Sequence, residues 1–326
     1  MRRTFFEVVY IWLEYGTRAV FRRQGLLAPV LAGAVALSGC GTTAPPVSSA
    51  PPVAGPSAPV VAAPQPAPRP PRIGLALGGG AARGFAHIGV LQVLEEQGIK
   101  PDLVVGTSAG SVVAALYASG KTPTEMGSMA MTLDESSITD WVFPGRSLLK
   151  GEALAKFVRK LTGGKPIESM RLPLGIVAAD LQSGEPILFR RGDPGMAVRA
   201  SSAVPGVFLP VKIGDREYID GGAVSPIPVR YARQMGAEVV IAVDISAIPQ
   251  GQSVKSAFDI LLQTFNIMGH SISQFELQDA DVVMRPKLEG IGSADFTARR
   301  LSILAGREAA LMVLPQLKER IAARTR

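Results

Sequence analysis

The sequence predicts an α/β domain organised on a parallel sheet, and three observations carry that prediction. Between residues 72 and 120 the chain twice repeats a strand-length apolar run, a glycine turn and a helix-patterned segment. Further short apolar runs follow at 172–180, 186–190, 217–220 and 238–244. A hydrophobic content of 47% over 326 residues is enough for a core of good size.

In chain order, RIGLAL (72–77) is a strand and GGGAARG (78–84) is the turn after it. FAHIGVLQVLEEQG (85–98) has helical spacing and closes on Gly98. KPDLVVG (100–106) is a second strand, and SAGSVVAALYASG (108–120) is a second helix ending at Gly120. LPLGIVAAD, PILFR, EYID and EVVIAVD are later strands, with a helix near 228–235 between the last two. Residues 255–278 and 296–323 have the pattern of longer amphipathic helices, and Pro315 is expected to kink or break the second. The apolar side of 255–278 is expected to pack on the sheet; an entrance flap against lipid is the alternative. Met126, Met129 and Met131 are expected to fill gaps in the core, and Arg190–Arg191 to mark a solvated turn. The stretch 121–150 yields no assignment.

Formal net charge is +7, of which the first 39 residues, with five Arg and two acids, supply +3. The rest is spread without Lys/Arg runs or interleaved aromatics, which argues against a nucleic-acid partner. A single cysteine, Cys40, excludes an intrachain disulfide. It closes RRQGLLAPVLAGAVALSGC, where two arginines precede an apolar stretch too short to span a bilayer comfortably, and small residues precede the cysteine. This is the layout of a secretory signal. LSGC also resembles the lipobox of bacterial lipoproteins, which implies lipidation of Cys40. With Gly41 rather than Asp next, it implies anchoring at the outer membrane of the cell envelope, facing the periplasm. Glu7 and Glu14 do not suit a signal n-region, so translation is expected to start later, near Val20. From Gly41 to Pro71 there are eleven prolines and no aromatic residue. That composition predicts a disordered tether with a reach of about 90 Å when polyproline-like. The organisation expected is thus extension and signal (1–40), tether (41–71) and one folded domain (72–326).

GTSAG (106–110) is G-x-S-x-G at a strand-to-helix junction, the context of a nucleophile elbow. Ser108 would stand at the carboxyl end of a strand, Gly106 and Gly110 would keep Cβ atoms away, and the following helix would aim its positive end at a developing oxyanion. The GGGAARG turn lies in the same strand-to-helix context, so both turns are expected at one crevice, where glycine-freed amides could form an oxyanion hole. Dinucleotide phosphate binding is the rival, but strict G-x-G-x-x-G is absent. In YIDGGAVSP, Asp220 follows a short strand and precedes two glycines, which places a carboxylate at a strand end, like the serine, and makes it a better candidate for the base than either histidine. The two histidines, His87 and His270, are expected to be structural, since neither sits at a strand end. Cys and His are too few for a zinc cluster, and no cofactor is called for.

These three sites in this order resemble the patatin-like phospholipase family over about residues 72–285, through GLALGGGAARGFAHIGVLQVLEE, VVGTSAGS, ASSAVPGVFLPV and YIDGGAVSPIPV. The resemblance implies a three-layer α/β/α sandwich around a mainly parallel sheet and a Ser108–Asp220 dyad in place of a triad. It implies an oxyanion hole from the amides of Gly79, Gly80 and Ala81, with Arg83 ordering the loop. Gly78, Gly84, Gly106, Gly110, Gly221 and Gly222 are the remaining motif glycines. Ala81 stands where the simplest family motif has a third glycine. The activity implied is hydrolysis of lipid acyl esters, of the phospholipase A or lysophospholipase type. The alternatives are a non-catalytic, membrane-anchored lipoprotein that binds lipid or a partner in the same crevice, and a dinucleotide-binding protein.

Overall fold

The computed structural model describes residues 69–141, 147–248 and 254–326. The predicted signal, Cys40 and nearly all of the predicted tether lie outside the described residues.

The first motif is β1 (Ile73–Leu77), a 3-10 turn (Ala81–Phe85) and α1 (Ala86–Glu96). The second is β2 (Leu103–Thr107) running into α2 (Ala109–Ala118). β3 (Leu174–Asp180), β4 (Pro186–Phe189), β6 (Arg216–Asp220) and β7 (Val239–Val243) fall where the apolar runs place them, and α6 (Val229–Gln234) precedes β7. β5 (Val211–Ile213) forms a hairpin with β6, and β8 (Val282–Met284) extends the opposite edge. The sheet order is β5-β6-β3-β2-β1-β7-β8, with β4 also paired to β3. Pairings among β3, β2, β1, β7 and β8 are parallel, and those of β4, β5 and β6 are antiparallel.

Both faces of the sheet are buried. Along β1 and β7, Ile73, Leu75, Leu77, Val239, Ile241 and Val243 enter one core, while Ala76, Val240 and Ala242 enter another. Alternation at a period of two sends successive side chains to opposite faces, so helices must cover each face. The first core takes α1, α2 and the long C-terminal α8 (Arg299–Arg324); the second takes α6. This is the expected three-layer arrangement. α1 and α8 approach closely because both carry glycine at the crossing. A Cβ on Gly89 would collide with the Ile303 carbonyl, and one on Gly306 with the Ala86 carbonyl.

Several expectations are corrected. α8 runs unbroken through Pro315. The bond Pro315 cannot make is to the Leu311 carbonyl, and Leu311 is exposed, so water can satisfy that acceptor. The unassigned stretch 121–150 contains α3 (Pro123–Met131), opened by a Thr122–Glu125 capping box with Pro123 in the first turn. That signal, T-P-x-E, was readable in the sequence. α4 (Glu152–Leu161) and α5 (Pro194–Ser201) lie between β2 and β6. Met126 is core, but Met131 is exposed. The expectation that α7 (Ala257–Glu276) buries its apolar side on the sheet fails. Its buried residues are Ser273 and Glu276, while six of its large hydrophobics are exposed.

Candidate active site

Ser108 occupies the turn between β2 and α2 with φ 52° and ψ −124°. A non-glycine residue rarely adopts positive φ, and holding it there costs roughly 1–3 kcal/mol. The surroundings over-determine the conformation. A Cβ on Gly106 would enter the Gly110–Ser111 backbone, and one on Gly110 would enter the Leu77 carbonyl, so the chain can reverse here only between glycines. The Ser108 carbonyl accepts from the Ser111 amide at 2.8 Å and the Ser111 hydroxyl at 2.6 Å. The Ser108 N–H donates to the Ser201 hydroxyl at 2.8 Å, and that hydroxyl donates onward to the Val177 carbonyl at 2.5 Å. Ser201 is fully buried at the end of α5. It lies in the ASSAVPG stretch, but no residue-level signal in the sequence pointed to this role.

Sheet register brings Asp220 to the serine. On β3, Thr107 of β2 pairs with Val177, and at the next position Asp220 of β6 pairs with Ala178. Gly221 lets the two strand ends meet, since a Cβ there would strike the Val177 carbonyl and come within 3.1 Å of Thr107 Cγ2. Asp220 is buried; its N–H donates to the Ala203 carbonyl at 3.0 Å, and its Oδ1 accepts from the Gly222 N–H at 2.6 Å. Oδ2 is buried without a formed hydrogen bond. Burial pushes the carboxyl pKa up to about 6, partly offset by the nearby Ser108 hydroxyl and the Gly222 N–H.

The glycine loop completes the crevice. A Cβ on Gly79 would lie 3.1 Å from Ser108 Cβ, so the loop abuts the serine. The Gly78 N–H donates to Val243 and the Gly79 N–H to Pro226, each at 3.0 Å. This corrects the expected oxyanion hole. The Gly79 amide is already engaged, and among the described residues the Gly80 and Ala81 N–H groups meet no acceptor. Ala81 has φ 53°, so alanine occupies a left-handed position that suits glycine. Arg83 is buried and its Nε donates to the Gly80 carbonyl at 3.2 Å. Burial lowers its pKa, and the field of Asp244 opposes that. Gly84 lets Ala109 approach the first turn. His87, fully buried, meets the Gly78 carbonyl through Nε2 at 2.8 Å, and burial lowers its pKa to about 4. It is a neutral brace of the glycine loop. Among the described residues no cluster of His, Cys, Asp and Glu could hold a metal ion.

Residues 75–233 match the family model described as patatin-like phospholipase. The chain carries a patatin-like phospholipase domain. The family match begins in β1, ends in α6, and includes the glycine loop, Ser108, Ser201 and Asp220. Among curated relatives, an uncharacterized NTE family protein of Mycobacterium tuberculosis is 35% identical over 206 residues, 62% of this chain and 57% of that protein. The patatin-like phospholipase domain-containing protein 6 of Mus musculus is 36% identical over 184 residues, 54% of this chain but 14% of the mouse protein. The chain thus spans little more than half of the mycobacterial relative and a small part of the mouse one. Among solved structures, VipD of Legionella pneumophila superposes with a TM-score of 0.53 at 13% identity, covering 76% of this chain and 67% of VipD. That likeness supports the patatin-like fold. α7 and α8 lie beyond the family match.

Proposed function

We propose that this patatin-like domain is a serine acyl hydrolase that cleaves lipid acyl esters, of the phospholipase A or lysophospholipase type, with Ser108 as nucleophile and Asp220 as base. One observation carries the reading: a buried carboxylate beside a serine in a strained elbow, with Oδ2 unpartnered and its pKa lifted towards neutrality. An ordinary aspartate is too weak a base for a serine hydroxyl; desolvation narrows the gap.

Ser108 Oγ attacks the ester carbonyl while its proton passes to Asp220 Oδ2. The tetrahedral oxyanion is stabilised by the Gly80 and Ala81 N–H groups and by the amino end of α2, at about 3–4 kcal/mol per well-placed donor. Collapse breaks the bond to the leaving alcohol, which takes the proton from Asp220. Water, deprotonated by the same carboxylate, then releases the acid and restores Ser108. We also propose that lipidated Cys40 holds the domain at the outer membrane on the tether. A serine-directed phosphonate tests the catalytic reading. It should label the wild type and not Ser108→Ala, and a panel of defined lipids should define the ester cleaved. No labelling of the wild type would favour a binding lipoprotein of the same fold.

A further inference from the structure

α7 is a twenty-residue helix turned the wrong way for a soluble surface. Amphipathic helices bury their apolar side and present polar residues to water. Here Ser273 and Glu276 are buried, while Ile260 is 58%, Met268 55% and Phe275 73% exposed, with Ile267 also outward. From Ile260 to Phe275 there is no Asp, Glu, Lys or Arg. An uncharged, largely apolar exposed face of this kind marks a protein or membrane contact.

The inner side of the same helix touches the catalytic rim. A Cβ on Gly222, two residues after Asp220, would lie 3.4 Å from the Phe265 ring. Gly206 lies against Phe258. At its carboxyl end, Glu276 accepts from the Ser225 hydroxyl and, at 3.0 Å, from the Ile227 N–H, both in the segment that follows Asp220. Helix and Asp220 loop therefore form one unit, apolar outside and tied to the base inside.

We propose that the outward face of α7 is a lipid-surface docking element that seats the crevice on a bilayer. Its choice of partner rests on the acyl-hydrolase reading. Three features favour lipid over a second protein. The face lacks charges that would pair across a protein interface, and it borders the crevice a lipid must enter. The stretch from Gly41 to Pro71 also links the domain to a predicted lipid anchor at Cys40 with a reach of about 90 Å when polyproline-like. Among the described residues no helix is long and apolar enough to cross a membrane, so α7 fits a helix lying in the interface plane.

The test uses the full chain carrying Cys40→Ala, so that no acyl anchor contributes, and compares it with the same chain carrying Ile260→Ser, Met268→Ser and Phe275→Ser. Sedimentation with phosphatidylcholine–phosphatidylglycerol vesicles reads docking, and hydrolysis of a monomeric short-chain ester reads the crevice. The expected result is a fall in vesicle partitioning of about tenfold or more, with hydrolysis of the soluble ester kept. Because triple substitution can disturb folding, Ile260→Trp is measured in parallel and should raise partitioning. Equal partitioning of all three proteins overturns the proposal. So does a dimer-to-monomer change in light scattering without a change in partitioning, which would make a second copy the occupant. If partitioning follows the substitutions while no protein hydrolyses the ester, docking stands and the acyl-hydrolase reading fails.

Discussion

Replacing Asp220 by Asn should move stability and chemistry in opposite directions. The Asp220 carboxyl is buried with one oxygen unpartnered, and its pKa is about 6 against an ordinary value of 3.8. The folded state therefore binds a proton that the unfolded chain has already released between about pH 4 and pH 6. Stability falls as pH rises through that window, by about 3 kcal/mol in all, since each tenfold change in proton affinity is worth about 1.4 kcal/mol. Above pH 6 the wild type holds a buried carboxylate that the Gly222 N–H and the nearby Ser108 hydroxyl only partly compensate. Asn is nearly isosteric, keeps an oxygen for the Gly222 N–H and carries no charge. Asp220→Asn should thus raise stability at pH 8, by up to that amount, and should flatten the dependence between pH 4 and 6. Asn cannot take a proton from Ser108, so phosphonate labelling and ester turnover should fall by about 10²–10⁴. Wild-type kcat/KM should rise about tenfold per pH unit below 6 and level above it. Urea unfolding across pH, paired with labelling rates, measures both arms. A variant that keeps the wild-type rate and pH profile would refute the assignment of Asp220 as base, and an activity midpoint near pH 4 would refute its desolvation.

Other predictions follow from the same geometry. Ser201→Ala leaves the Ser108 N–H and the Val177 carbonyl without their shared partner; stability should fall by about 1–3 kcal/mol, with kcat reduced more than KM is changed, as unfolding curves and steady-state kinetics would register. Ala81→Gly removes a Cβ from a left-handed position and should stabilise the loop by up to about 1 kcal/mol without loss of labelling, which a rise in Tm would reveal. Gly306→Ala drives a methyl into the Ala86 carbonyl and should cost about 1–3 kcal/mol or more, while leaving the pH dependence of labelling in the surviving folded protein unchanged.

Much of this molecule was legible in one dimension because its signals are local. A strand-length apolar run, a glycine turn and a helical period are properties of adjacent residues, and so is the G-x-S-x-G elbow, since it is a steric demand of one tight turn. The order of the three motifs also pointed to the family. The break expected at Pro315 does not occur because its cost depends on whether water reaches the Leu311 carbonyl, and exposure is not local. Residues 121–150 were unread although the Thr122–Glu125 capping box was present, because the Gly, Pro and Ser around it gave no period to attach it to.

By itself the sequence determined the parallel α/β class, the positions of Ser108 and Asp220 at strand ends, and the glycines that make both turns possible. Tertiary structure alone decided which amides remain free, since the Gly79 N–H is taken by the carbonyl of Pro226, far along the chain. It alone made Ser201 a support of the elbow, gave Asp220 its raised pKa, and turned the apolar face of α7 outward. Hydrogen-bond partners, desolvation and the direction a helix faces depend on atoms remote in sequence, and only the packed fold brings those atoms together.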